Sequence, residues 1–189
     1  SQVQILPPRQ MKKLSLLILF LFFFLFVFII PRLVLVDSSI IIKKNEIFDG
    51  KNKIYYWIGE GNCSQDEGMP PMFIMEENTL IKNIYILNAP DGIHINGNNT
   101  IIDNITNLNV CEDAVSTPKD PFYQNIKIIN SLFLHCEDKG LQFNNGDHFF
   151  IENNKFINCS QPIRLPKNSV NYVLKNNFMS GVGSGYYLK

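Results

Sequence analysis

The sequence predicts an all-β fold, a single-stranded right-handed parallel β-helix, on three observations. Four segments align as a repeat: Asp91-Gly92-Ile93-His94, Cys111-Glu112-Asp113-Ala114, Cys136-Glu137-Asp138-Lys139 and Cys159-Ser160-Gln161-Pro162. In that alignment Asp91, Asp113, Asp138 and Gln161 stand 22, 25 and 23 residues apart, a period that marks a solenoid with one coil per repeat. The chain is rich in two residues, 23 Asn and 25 Ile; Ile favours strands, and Asn favours turns and tolerates left-handed backbone. Helical periodicity is nearly absent after residue 37, where short apolar runs alternate with Gly and Asn. A doubly wound α/β fold is excluded for want of helices, and an open β-sandwich is the lesser alternative.

The 189 residues carry a formal net charge of zero, but unevenly. Arg9, Lys12, Lys13 and Arg32 stand in the first 32 residues with no acid, and the remainder holds 13 basic and 17 acidic residues. A mildly acidic body is a poor surface for nucleic acid and is compatible with a bound divalent cation.

In chain order, Met11-Lys12-Lys13 precedes an apolar run from Leu14 to Ile30, closed by Pro31 and Arg32. A basic start and an apolar core predict a secretory signal peptide or, given the length, a membrane anchor. Residues 1–36 are set apart as that extension, and residues 37–189 are expected to form the β-helix domain, with truncation at its C-terminal end left open. Ile40-Ile41-Ile42 and Ile54-Tyr55-Tyr56-Trp57-Ile58 read as strands, with a turn over Asp49-Gly50-Lys51-Asn52. Together they make a capping first coil, because a bare solenoid end exposes a strand edge. Residues 61–71 form a polar loop, Met72-Phe73-Ile74-Met75 a short strand, Glu76-Glu77-Asn78 a turn, and Leu80 to Ile86 the next strand. From there each repeat brings Asn to a matching point: Asn83, Asn104, Asn130, Asn153-Asn154 and Asn176-Asn177. Stacked amides make a ladder, and isolated Asn makes turns; the two readings are compatible.

Cys63, Cys111, Cys136 and Cys159 follow the leader. An even count after a signal peptide predicts two disulfides, with all three pairings open. Three of the four fall in repeat register, so stacked inward-facing thiols are the alternative. No Cys-x-x-Cys or paired His accompanies them, which argues against zinc.

Stacked coils put equivalent residues about 4.8 Å apart. The repeat therefore predicts a column of carboxylates, followed by a lysine and an arginine. Asp91, Glu112 and Asp113, with Glu137 and Asp138 nearby, offer hard oxygen ligands that favour calcium; the bland alternative is Asp capping turns. Lys139 follows Asp138, Arg164 lies a coil further, and Lys119 follows the Glu112-Asp113 pair. Cations beside acids suit an anionic substrate, whereas a lone surface lysine is ordinarily just solvated.

These segments continue into Asp138-Lys139-Gly140-Leu141-Gln142-Phe143-Asn144-Asn145-Gly146 and Ile163-Arg164, and are preceded by Asp66-Glu67-Gly68-Met69-Pro70-Pro71-Met72-Phe73-Ile74. In that order they resemble the signatures of pectate lyases of polysaccharide lyase family three, which read roughly DEGQxPxF, DGIH, GEDA and DKxxQxNG. The resemblance spans about residues 45–180. It implies a secreted, monomeric parallel β-helix that binds calcium and cleaves polygalacturonate by β-elimination to 4,5-unsaturated oligogalacturonides. It implies calcium ligands at Asp91, Glu112 and Asp113, catalytic cations at Lys139 and Arg164, and substrate contacts at Lys119 and Glu67. Lys139 is the expected base and Arg164 the carboxylate clamp, with the reverse assignment open. The sequence departs from the pattern at Cys111, where Gly is usual, at Asn107-Leu108-Asn109, which replaces an aromatic pair, and at Leu165-Pro166-Lys167-Asn168 after the arginine. Two other functions stay in view. A non-catalytic β-helix module binding acidic polysaccharide would be favoured by loss of Lys139 or Arg164, and both are present. A galacturonan hydrolase would need an Asp acid–base set; it ranks last, because the Asp residues sit with Lys and Arg and no Gly-His-Gly motif occurs.

Overall fold

A computed structural model of the protein describes residues 13, 15–21, 32–61, 68–167, 169–183 and 186–188. Cys63 and Glu67 lie outside the described residues. The chain divides between Leu33 and Val34 into two units. In the first, residues 15–21 are helical; among the described residues no helix is long and apolar enough to cross a membrane.

The second unit is a β-solenoid of about six turns. Its seven-stranded sheet takes Ile40–Ile42, Pro71–Met75, Asp91–Ile95, Asp113–Ser116, Lys139–Gln142, Gln161–Leu165 and Tyr186–Leu188 in strict chain order. Parallel pairing in chain order means that each neighbour is the same segment one coil away, which excludes the sandwich. The other sheet has ten strands, and its main path runs Leu33–Val36, Ile47–Trp57, Leu80–Ala89, Thr100–Val110, Leu132–Leu134, Lys155–Ile157 and Phe178–Ser180. It takes in Leu33–Val36, the end of the stretch that the sequence assigns to the leader. Thr100–Val110 pairs through Thr100–Asp103 with Tyr123–Ile129 and through Thr106 and Asn107 with Leu132–Leu134. One long strand of the upper coils is thus continued by two short ones below.

Alternation along each strand builds the core. Ile93, Val115, Leu141 and Ile163 share one inward column, each fully buried. A second column runs Tyr55, Ile86, Asn107, Phe133, Phe156 and Met179. In it the Phe133 and Phe156 rings stack with centroids 4.9 Å apart, the spacing of the coils themselves. Asn107, one of the departures noted above, is an amide in this apolar column. It is fully buried, and neither its Oδ1 nor its Nδ2 has a hydrogen-bond partner.

The expected turn at Asp49–Asn52 lies inside the strand Ile47–Trp57, as an irregularity where pairing shifts between Asp49 and Lys53. Asp49 Oδ1 accepts from Lys51 N at 2.9 Å and from Asn83 Nδ2 at 3.0 Å, so a bulge is held where an open turn was expected. Both readings of the asparagines hold. Asn83, Asn104, Asn130, Asn153 and Asn176 all have positive φ, and Asn104 Nδ2 donates to Asn83 Oδ1 at 2.7 Å. A second ladder joins Asn125, Asn99, Asn78 and Asn45 through amide bonds of 2.9, 2.8 and 3.1 Å. Of the cysteines, Cys136 and Cys159 form a disulfide between adjacent coils, with Cα atoms 4.4 Å apart. Val110 is the residue bridged to Cys136, so Cys111 stands one step out of that column; it too is disulfide-bonded.

Candidate functional site

The site grows from the seven-stranded sheet. Lys139 pairs with Asp113 on one side and Gln161 on the other. With His94 opposite Ser116, the register also sets Asp91 beside Asp113. The first residues of four successive strands therefore form a row: Asp91, Asp113, Lys139, Gln161. This corrects the alignment that placed Asp138 in register with Asp113. Asp138 precedes the strand and stacks beside Glu112, one position back. The physical cause is coil length, because the coil between Asp113 and Lys139 is longer than its neighbours, and a single-residue slip moves every side chain to the other face.

A second row lies three residues further along: His94, Ser116, Gln142, Arg164. It faces outward, opposite in phase to the buried Ile93, Val115, Leu141 and Ile163. Between the rows fall Gly92, Ala114, Gly140 and Pro162. A Cβ on Gly92 would stand 2.1 Å from the Ala114 carbonyl oxygen, and one on Gly140 2.5 Å from that of Pro162. The close approach of the coils admits only glycine at both positions.

Asp91, Glu112, Asp113 and Lys119 line one groove of ≈ 250 Å³, together with His94 and Gln142. Lys139 and Arg164 reach its edge through partners. Lys139 Nζ lies 3.6 Å from Asp113 Oδ1 and contacts Asp138 more closely. The Arg164 guanidinium donates from Nη1 to Gln142 Oε1 at 3.0 Å. Lys139 is only 7% exposed, which the sequence did not foretell. The sequence offers His94 and Gln142 only as parts of motifs. Their signal was present in the chain, since both stand three residues beyond a member of the first row.

Electrostatically the groove is strained by like charge. Burial pushes the Asp113 carboxyl up to about 7; Lys139 works against this, while Asp91, Asp138 and Glu112 add to it. Glu112 is raised by burial and by the charges of Asp91 and Asp138. Burial disfavours the His94 imidazolium, but the Asp91 carboxylate, 2.6 Å from Nε2, and the charges of Asp113 and Glu112 outweigh it and raise its pKa. Asp91 Oδ1 accepts from Gly92 N at 2.9 Å. Asp113 Oδ1 is buried with no hydrogen-bond partner, the lysine being too distant to serve. An orphaned carboxylate oxygen among crowded acids is what a hard divalent cation relieves, and the donor chemistry of Asp91, Glu112 and Asp113 fits one. Among the described residues no group of three or more His, Cys, Asp or Glu is arranged to hold a metal as it stands, so binding would draw the three side chains together.

The loop after Arg164, where the sequence departs from the pattern it resembles, is tied down from the preceding coil. Asp147 Oδ1 accepts from Asn171 N, Val170 N and Ser169 Oγ at 2.8, 3.1 and 3.2 Å, and Oδ2 accepts from Asn171 Nδ2 at 2.7 Å. Desolvation works against its charge, but these bonds hold the Asp147 carboxyl well below the usual carboxylate range. The strand carrying Arg164 thus leaves into an anchored loop. Residues 32–180 match the family model described as Pectate lyase.

Proposed function

The chain belongs to the pectate lyase family, and from that premise we propose that it is a secreted, calcium-dependent lyase of polysaccharide lyase family three that cleaves polygalacturonate by β-elimination. The observation that carries this reading is the register: Lys139 pairs with Asp113 on the adjacent strand, and Arg164 enters the neighbouring outward row through Gln142. Lys139 therefore stands against the acids, and Arg164 joins the groove through Gln142.

In this proposal Asp91, Glu112 and Asp113 hold calcium, which when bound would neutralise the substrate's C6 carboxylate and stabilise charge developing beside it. Arg164 clamps that carboxylate, and Gln142 holds the guanidinium in place. Lys139 takes the C5 proton; the C5–H electron pair becomes the C4=C5 double bond, and the C4–O bond breaks with its electrons on the departing oxygen. Lys119, on the exposed loop beside the acids, and Glu67, which lies outside the described residues, contact flanking sugars. The domain acts as a monomer once its leader is removed.

The burial of Lys139 favours one alternative, a non-catalytic module that grips acidic polysaccharide. The two readings separate in one experiment. Ultraviolet absorbance of the unsaturated product is followed on polygalacturonate at alkaline pH, with calcium and then with chelator. A calcium-dependent rise that is lost in Lys139→Ala and in Arg164→Ala is expected. Folded protein that binds the polymer without any rise would leave the binding module.

A further inference from the structure

Asp91 opens the first row of the site and is held at both oxygens. Oδ1 accepts from Gly92 N at 2.9 Å, and Oδ2 lies 2.6 Å from His94 Nε2. A carboxylate only accepts, so Nε2 is the donor of that contact. In the same row Asp113 Oδ1 has no hydrogen-bond partner. The proposed oxygen ligands are therefore not equal. Asp91 is fixed at both oxygens before any cation arrives, and Asp113 is not.

Alternation alone would not bring His94 to Asp91. Along the strand Asp91–Ile95 the buried Ile93 and Ile95 point inward, so Gly92 and His94 face outward. Asp91 would follow Ile93 inward, but it stands directly after the bend at Pro90 and lines the groove instead. Between Asp91 and His94 lies Gly92, where a Cβ would meet the Ala114 carbonyl oxygen at 2.1 Å. With no side chain at that position, the imidazole reaches back along the strand to the carboxylate.

Each carboxylate oxygen has two acceptor sites, so one hydrogen bond apiece leaves Asp91 room to ligate. A ligand already fixed loses less side-chain freedom when a metal enters, and its hydrogen-bond partner sets its orientation. Building on the calcium reading proposed above, we infer that His94 is a positioning residue. It presets Asp91 as the fixed ligand of the cation site, and Glu112 and Asp113 close toward that ligand when calcium enters. In this role His94 touches neither the metal nor the reacting atoms.

Calcium is titrated calorimetrically into the full chain at one alkaline pH, so that imidazole protonation is the same throughout. His94→Ala should weaken calcium affinity by about 10–100-fold, the usual cost of removing the partner of a ligating side chain. His94→Gln, whose amide nitrogen stands near the place of Nε2, should restore affinity toward wild type. Melting in chelator should be alike in all three proteins, and kcat of His94→Ala should recover at saturating calcium. Affinity in His94→Ala equal to or tighter than wild type overturns the inference, because the imidazole would then be idle or a competitor for Asp91. A loss that His94→Gln does not restore, or that comes with lower melting in chelator, makes His94 a structural residue and also overturns it. Calcium binding that His94→Ala weakens, in a protein that forms no unsaturated product, keeps the inference and removes only the lyase reading. A wild type that binds no calcium removes both.

Discussion

The asparagine corners and the acid corner of the solenoid are built by the same stacking and behave oppositely. In the ladder Asn45, Asn78, Asn99, Asn125, each amide donates to the one a coil away. An amide is both donor and acceptor, so a column of identical residues satisfies itself. A carboxylate only accepts. Asp91 beside Asp113, with Glu112 and Asp138 in the next position, cannot pair within its own kind, and the outcome is raised acids and the orphaned Asp113 Oδ1. Repetition yields stability where the repeated group is self-complementary. Where it is not, repetition yields crowded acids whose charge a cation would relieve.

The most forceful way to break this contrast is to remove Lys139, which the acids contact, and Arg164, which joins the groove through Gln142. Lys139→Ala and Arg164→Ala should each lower kcat by roughly 10²–10⁴-fold, the usual contribution of a positioned proton-transfer group, read from initial rates of unsaturated product. Thermal melting should move little in Arg164→Ala and more in Lys139→Ala, because Lys139 is buried against Asp113 and Asp138. A loss under about tenfold for both would remove them from the chemistry and leave the acid corner a binding device.

Next in size is the pH response of the acid corner itself. Asp113 has a folded-state pKa raised above its unfolded value, to about 7. For a raised group the stabilising contribution is fully present below the unfolded pKa and is lost as pH rises through the folded one. Calcium-free protein should therefore lose stability between about pH 4 and pH 7, by on the order of 2–4 kcal/mol at most. Added calcium should restore it, and Asp113→Asn should flatten the profile and weaken calcium binding. Chemical denaturation across pH, with and without calcium, checks all three; a wild-type profile already flat in chelator would show that the crowding is not felt.

Much of this was legible in the chain, for reasons the two corners make plain. The repeat period and the Asn and Ile content gave the solenoid, because each coil repeats the same local requirements. The ladders were legible because like residues pair. The acid corner was misread by one position, because alignment on like residues set Asp138 over Asp113, whereas the ladder of backbone bonds sets Lys139 there. A functional column changes residue type from coil to coil, so identity is the wrong guide to its register; the constant three-residue offset to His94, Ser116, Gln142 and Arg164 was the better one. The burial of Lys139 had no signal in the sequence, since it depends on how the acids around it fold over it.

A third test carries the contrast into the core. Asn107 is an amide without an amide above or below it, standing between Ile86 and Phe133. Its two unpartnered atoms each forgo a hydrogen bond held in the unfolded chain. Asn107→Leu should raise stability by about 1–2 kcal/mol, seen as a higher denaturation midpoint with unchanged slope. A lower midpoint would mean that the amide is satisfied in solution.

The smallest effect tests the ladder. Asn99 is exposed, has φ 55°, and bonds both Asn78 and Asn125. Asn99→Gly keeps the left-handed backbone accessible and deletes only the two amide bonds, whereas Asn99→Ala deletes the bonds and also forces an unfavourable φ. The glycine variant should lose about 1 kcal/mol and the alanine variant about 1 kcal/mol more, compared by urea denaturation. The difference between the two isolates the turn role from the ladder role. If glycine costs nothing, the amide bonds seen along the corner add no stability, and the asparagines stand there for their backbone alone. The self-complementary column would then be a consequence of the turn, and only the acid corner would owe its residues to their side chains.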